Sequence, residues 1–146
     1  MEFVSNFAER LDELRFDRGL TGEQLAHALG VRKNLIYYYL NDKRQPSIKM
    51  LVKMADYFQC STDFLLGLEE ENTAKTFKIC PPFSEQLQFL LKHFQTNKYR
   101  LCKEVPITHS VIYAWQNGTS VPLLDHVLKL AKHFDCSVDF ILGRES

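Results

Sequence analysis

Between positions 32 and 53 the sequence carries six basic side chains, Arg32, Lys33, Lys43, Arg44, Lys49 and Lys53, against one acid, Asp42. That is a local balance of +5 in a chain whose formal net charge is zero. Guanidinium and ammonium groups at this density suit phosphate oxygens, Arg by a planar fork of donors and Lys by a compact charge. Asn34 lies among them with an amide that can donate and accept at once. Three consecutive phenols follow at Tyr37, Tyr38 and Tyr39. The chemistry on offer is recognition of a polyanion, with polar groups able to read an edge.

Bond-making chemistry has no comparable support. No Ser/His/Asp or Cys/His arrangement, glycine-rich phosphate loop or pair of catalytic carboxylates stands out, so an enzyme is not expected. The cysteines at 60, 80, 102 and 136 form no CxxC pair and no Cys/His pattern of zinc-finger spacing. His126, His133 and Cys136 come nearest to a metal set, but the two histidines lie seven apart with no second cluster behind them. No metal, cofactor or small-molecule ligand is expected.

The cationic stretch needs a helix to aim it. Thr21 is a good N-cap, and Gln24 three residues on completes a capping box that starts a helix at 22. Leu25 and Leu29 share its buried face, Ala26 lets a following helix cross closely, and Gly30 ends it because glycine enters the left-handed conformation without steric cost. After a turn sealed by Val31, Leu35, Ile36 and Tyr39 recur at helical spacing and face inward. That leaves Arg32, Lys33, Asn34, Tyr37 and Tyr38 largely outward, as base or phosphate contacts or as ordinary solvated residues. One of Tyr37 and Tyr38 is expected to meet the bound partner, nucleic acid or protein.

The small residue, turn glycine and apolar positions of 22–41 resemble the helix-turn-helix of the lambda-repressor-like (XRE) family of bacterial and phage DNA-binding proteins. The flanks, SNFAERLDELRFDRGLT before and KRQPSIKMLVKMADYFQCSTDFLLG after, are similar to that family's first helix and last two helices. The resemblance implies a regulator, expected to be a repressor, that contacts double-stranded DNA through Thr21, Arg32, Lys33, Asn34, Tyr37, Tyr38, Asn41, Lys43 and Arg44. Asn34 and Lys33 would reach base edges, while Lys43 and Arg44 would sit beside phosphates and fix the register. Gly22 and Leu40 depart from the Gln and Glu common in the family, so the operator is not inherited from it.

Placing residue n above residue n+76 aligns 7–67 with 83–143 without a gap, with 18 of 61 positions identical. Leu11, Leu25, Ile36, Pro46, Ala55, Phe58, Phe64 and Gly67 recur as Leu87, Leu101, Ile112, Pro122, Ala131, Phe134, Phe140 and Gly143. These positions are mostly apolar at helical spacing, so what is shared is a core. The expected fold is all-α: two tandem five-helix lambda-repressor-like helix-turn-helix domains, 1–68 and 83–146, joined by a short linker at 69–82. Helices are expected at 6–18, 22–29, 32–41, 47–58 and 62–66 and at the same positions plus 76. Within the linker, 75–78 (KTFK) alternates and could pair as a short strand.

The second copy keeps the scaffold and loses charge. Its stretch 108–129 carries one base, Lys129, and one acid, Asp125, apart from His109 and His126. Pro106 replaces the turn glycine, and since proline cannot take a positive φ this turn must differ in shape. A subsidiary DNA contact is expected from Lys98, Arg100, Thr108, His109, Ser110, Tyr113 and Asn117, or else a dimerisation role, by homodimer or intramolecular pseudo-dimer. The competing expectation is a protein-interaction module built from a degenerate tandem helix-turn-helix. A composition 45% hydrophobic and 25% charged is that of an ordinary globular protein. No apolar run approaches the roughly 20 residues that span a bilayer, so a cytoplasmic protein without membrane contact is expected.

Overall fold

The computed structural model describes residues 2–73 and 76–145, with side chains from Phe7 onward. Among the described residues the chain is all-helical, in two compact units, Met1–Lys75 and Thr76–Ser146. The first holds α1 (Glu2–Asp17), α2 (Gly22–Leu29), α3 (Lys33–Leu40), α4 (Ile48–Phe58) and α5 (Thr62–Leu65). The second holds α6 (Phe83–His93), α7 (Lys98–Glu104), α8 (His109–Asn117), α9 (Leu124–Phe134) and α10 (Val138–Leu142).

Side-chain caps set most of the starts, by occupying N–H groups that a first turn leaves without helical partners. Thr21 and Gln24 close both halves of the capping box, at 3.1 and 2.9 Å. Ser47, Ser61, Asn97, Thr108 and Ser137 each accept from the backbone N–H three residues on. Gly30, at φ +70°, ends α2 and turns the chain into α3. In the second unit Val105 ends α7 in extended conformation and the Ile107 N–H donates to the Val105 carbonyl at 2.7 Å, a turn of another shape around Pro106.

The two cores repeat the same aromatic pair. Tyr39 meets Phe7 edge-on with ring centres 5.8 Å apart, and their counterparts Trp115 and Phe83 do so at 5.5 Å. Tyr39 and Trp115 are both buried, among leucines and isoleucines that include Leu11, Leu25 and Ile36 in the first unit and Leu87, Leu101 and Ile112 in the second.

Polar links between chain-distant positions repeat as well. Arg10 donates through Nη1 to the carbonyls of Phe64, at 2.5 Å, and Glu69, at 3.1 Å, with its guanidinium 3.9 Å from the centre of the Phe64 ring. Gln86, the counterpart of Arg10, donates to the Phe140 carbonyl at 2.9 Å. The Ser61 hydroxyl donates to Glu69, and Ser137 does the same to Glu145.

The second unit adds a buried ion pair. Arg144 and Asp139, with side chains 0% and 1% exposed, meet at 2.7 Å, and the guanidinium lies 4.1 Å from the centre of the Phe77 ring. The Lys78 N–H donates to the Arg144 carbonyl at 2.7 Å. Gly143 is pressed by Pro81, whose Cδ would stand 2.6 Å from an added Cβ. The stretch expected as a linker is therefore engaged at both ends, Glu69 by the first unit and 77–82 by the second. Of the strand expected at 75–78, Lys75 lies outside the described residues and 76–78 form none, the Lys78 N–H being taken by Arg144.

Candidate nucleic-acid interface

Helix α3 turns Ile36 and Tyr39 into the core and leaves Arg32, Lys33, Asn34, Tyr37 and Tyr38 on the surface. Tyr37 and Tyr38 are 42% and 48% exposed, so each ring is half seated on the protein and half open to a partner. Thr21, Asn41, Lys43 and Arg44 are exposed too. Arg32 occupies the N-cap position without making a side-chain cap, which leaves the first turn of α3 uncapped, whereas Thr108 caps the equivalent α8.

These residues fall into two groups. Arg32, Asn34, Tyr38 and Arg44 converge with Leu35 on one cleft of about 380 Å³. A sharp reversal after α3 presents Arg44 to it: Asn41 donates to the Tyr37 carbonyl, Asp42 takes φ +57°, and the Lys43 N–H donates to the Tyr38 carbonyl at 2.8 Å. Asp is among the few side chains that tolerate such a φ. On the α2 side, Lys33 reaches Glu23 at 3.9 Å in an exposed pair worth little against salt. Tyr37 lies directly over Gly22, where an added Cβ would stand 2.8 Å from the ring.

Gly22 thus makes room for Tyr37, a role the sequence reading missed. Its one signal was a glycine at the first position of a well-capped helix, where it costs stability and so marks a close approach. Lys49 and Lys53 are exposed, and Lys53 Nζ lies near Gly30, so all six cations of 32–53 reach the surface. Burial pushes the Tyr39 phenol above its ordinary value, and the Arg44 charge pulls it partly back.

The second unit rewrites the same positions. Lys98 and Tyr113, the counterparts of Gly22 and Tyr37, form a cation–π contact at 5.3 Å. Tyr99 and His109, the counterparts of Glu23 and Lys33, replace an ion pair with a ring contact at 5.5 Å. Lys98 also lies 5.3 Å from the Tyr99 ring, so Lys98 joins Tyr113 to Tyr99, and Tyr99, a residue absent from the expected set, joins Lys98 to His109. The hydroxyls of Thr108 and Ser110 are 3.2 Å apart. Arg100 and Asn117 are exposed and join neither group.

Where the first unit has its cationic cleft, the second has one of about 290 Å³ whose walls include Val111, Ala114, Trp115, Ser120, Val121 and Leu123. Among the described residues no three His, Cys, Asp or Glu side chains gather as a metal site, and no helix is long and apolar enough to cross a membrane.

Comparison with known proteins matches residues 11–65, within the first unit, to a helix-turn-helix family. The uncharacterized HTH-type transcriptional regulator YobD of Bacillus subtilis is 33% identical over 69 residues, 47% of this chain and 62% of that protein. The HTH-type transcriptional regulator ImmR of the same organism is 34% identical over 65 residues, 44% of this chain and 51% of that protein. The matched stretch thus spans only half to three fifths of these two relatives. A solved transcriptional regulator from Listeria innocua is 29% identical, with a TM-score of 0.41 over 66% of this chain and 83% of that one. An uncharacterized HTH-type transcriptional regulator of Archaeoglobus fulgidus is 32% identical over 62 residues, 42% of this chain and 89% of that protein. With nearly the whole of that small regulator matched, and with the capped α2, the glycine turn and the exposed α3 in place, the chain belongs to the XRE-like helix-turn-helix family.

Proposed function

We propose that this chain is a sequence-specific double-stranded-DNA-binding transcriptional regulator, acting as a repressor, that lays α3 of its first unit in the major groove. One observation carries the reading: Arg32, Asn34, Tyr38 and Arg44 converge on a single cleft of the exposed α3 face. Guanidinium groups flanking an amide and a phenol give phosphate anchors around a base-reading group. The regulators it resembles support the same reading. Asn34 is assigned to an adenine edge and Lys33 to guanine, with Lys43 and Arg44 on phosphates and Thr21, Tyr37 and Asn41 beside the backbone. The second unit serves as a subsidiary contact or as a dimerisation module.

The test is binding to a fluorescent duplex across a salt series. Each phosphate neutralised contributes about −0.9 to the log–log slope, so Lys43→Ala/Arg44→Ala should flatten it by about 1.8. Lys98→Ala/Arg100→Ala should leave it nearly unchanged if the second unit stands off DNA, and should flatten it equally if both units bind. Absence of any salt-dependent binding would refute the reading and favour a protein partner.

A further inference from the structure

We infer that the second unit carries a stacking platform for unpaired bases, on which an open single strand of DNA is held by the ring faces of Tyr99 and Tyr113 and by the cations of α7. This deepens the subsidiary DNA contact proposed above for the second unit and rests on that part of the reading alone.

A shift of charge between the repeats carries the inference. In the first unit the start of α2 is acidic, with Glu23, and the +5 stretch lies further on, at 32–53. In the second unit 108–129 nets zero and the cations stand one helix earlier, since Gly22, Gln24 and His27 are matched by Lys98, Arg100 and Lys103. Glu104 is the one acid of α7, so the helix carries three cations against one anion. A phosphate strand that meets this unit is drawn to α7 and not to α8.

The same replacements bring aromatic faces to the surface. Glu23 is matched by Tyr99, which is 61% exposed. Lys98 puts a side chain where Gly22 makes room for Tyr37, and Tyr113 is 57% exposed against 42% for Tyr37. The Lys98 ammonium lies 5.3 Å from both ring centres, so one cation stands beside two phenols. His109 meets Tyr99 at a tilt of 53°, and among the described residues no ring stacks on either phenol. Open aromatic faces next to cations suit successive bases and their phosphates, because every base has a π-face and stacking asks for no particular sequence. A duplex cannot use those faces, since its bases cover one another and present only edges and phosphates. An apolar occupant is opposed by the cations, which it would strip of water without pairing them.

Fluorescence anisotropy of the full chain with a labelled oligo-dT strand, and with a random-sequence duplex of equal length, tests this. Tyr99→Ala/Tyr113→Ala should weaken strand binding at least about 25-fold, each stacked base contributing about fivefold or more. The loss should be the same at every salt concentration, and duplex binding should stay within about twofold of wild type. Tyr99→Phe/Tyr113→Phe keeps both ring faces and should bind the strand as the wild type does. Lys98→Ala/Arg100→Ala should instead flatten the salt slope of strand binding by about 1.4, at about −0.7 per phosphate. Circular dichroism checks the fold, which changes at two exposed rings should leave intact. A wild type that does not hold the strand, strand affinity unmoved by the alanine pair, or a duplex weakened as much as the strand would overturn the inference. An oligo-rU strand bound tighter than oligo-dT would overturn the assignment to DNA. Lys43→Ala/Arg44→Ala should weaken the duplex and preserve the tyrosine effect on the strand. Absent salt-dependent duplex binding, beside a strand released by Tyr99→Ala/Tyr113→Ala, would therefore sink the regulator reading and leave this one standing.

Discussion

Arg144→Met removes the cation from the one fully buried ion pair described in the second unit and leaves the Asp139 carboxylate, 1% exposed, short of its guanidinium. Methionine has similar length and fills most of the same space, so cavity formation is a minor part of the effect. Removing one partner of a buried pair costs about 3–5 kcal/mol, because the remaining charge keeps its desolvation penalty. In a domain of this size each kcal/mol lowers Tm by about 4–8 °C, so a fall of about 12–40 °C is expected. Asp139→Asn alone should also be costly, as it removes the anion that the buried guanidinium meets at 2.7 Å. The double variant Asp139→Leu/Arg144→Met should return to within about 1 kcal/mol of wild type, since replacing a whole buried pair with apolar groups of similar volume is often neutral.

The assay is built into the chain. Trp115 is its only tryptophan and is buried in the second unit, so intrinsic fluorescence during urea or thermal unfolding reports that unit selectively. A loss below about 1 kcal/mol for Arg144→Met, or a double variant as unstable as either single one, would refute the reasoning.

Two further outcomes are expected. Gly30→Ala and Gly22→Ala should differ in kind. Gly30 has φ +70° and an added Cβ would meet only the flexible end of Lys53, at 3.9 Å, so only left-handed strain of about 1–2 kcal/mol is expected in a urea titration. At Gly22 the new Cβ would meet the Tyr37 ring at 2.8 Å, and since that ring is half exposed it should swing out. Its proton resonances would then move toward solvent values with a stability change below about 1 kcal/mol, and unmoved resonances would count against the contact. Tyr39 should make stability fall in alkali. Its raised phenol value means the folded state holds a proton the unfolded state releases, so the contribution is whole below the unfolded value near pH ~10 and is lost as pH rises through the folded one. Tyr39→Phe should flatten that decline, and an identical alkaline slope would argue against it.

Features set by nearby residues were legible in the sequence. The Thr21–Gln24 capping box and the left-handed Gly30 are written in local spacing, and both stand as expected. The offset of 76 placed the second set of helices and matched Trp115 to Tyr39, which made both core residues. Features needing distant partners were not legible. Nothing local to Arg10 points to carbonyls at Phe64 and Glu69, 54 and 59 positions away. A Pro-Pro stretch beside an acidic run looks like a linker until Arg144 is seen stacked on Phe77. At the candidate interface, spacing gave the exposure of the α3 side chains. It gave neither the convergence of Arg44 on Arg32 and Asn34 nor the reason for Gly22, because each depends on how two elements approach.

The segment 77–82 also separates two boundaries that a tandem repeat would seem to make identical. The repeated pattern begins at Phe83, yet the unit that contains it begins at Thr76, and Phe77 and Pro81 already supply the aromatic face over Arg144 and the proline against Gly143. Residues 77–82 therefore belong structurally to the second unit and not to a free spacer. Dissection of the chain into halves should respect the border of the unit, since a cut at the border of the repeat would strip a guanidinium of its cover and open the end of the last helix to water.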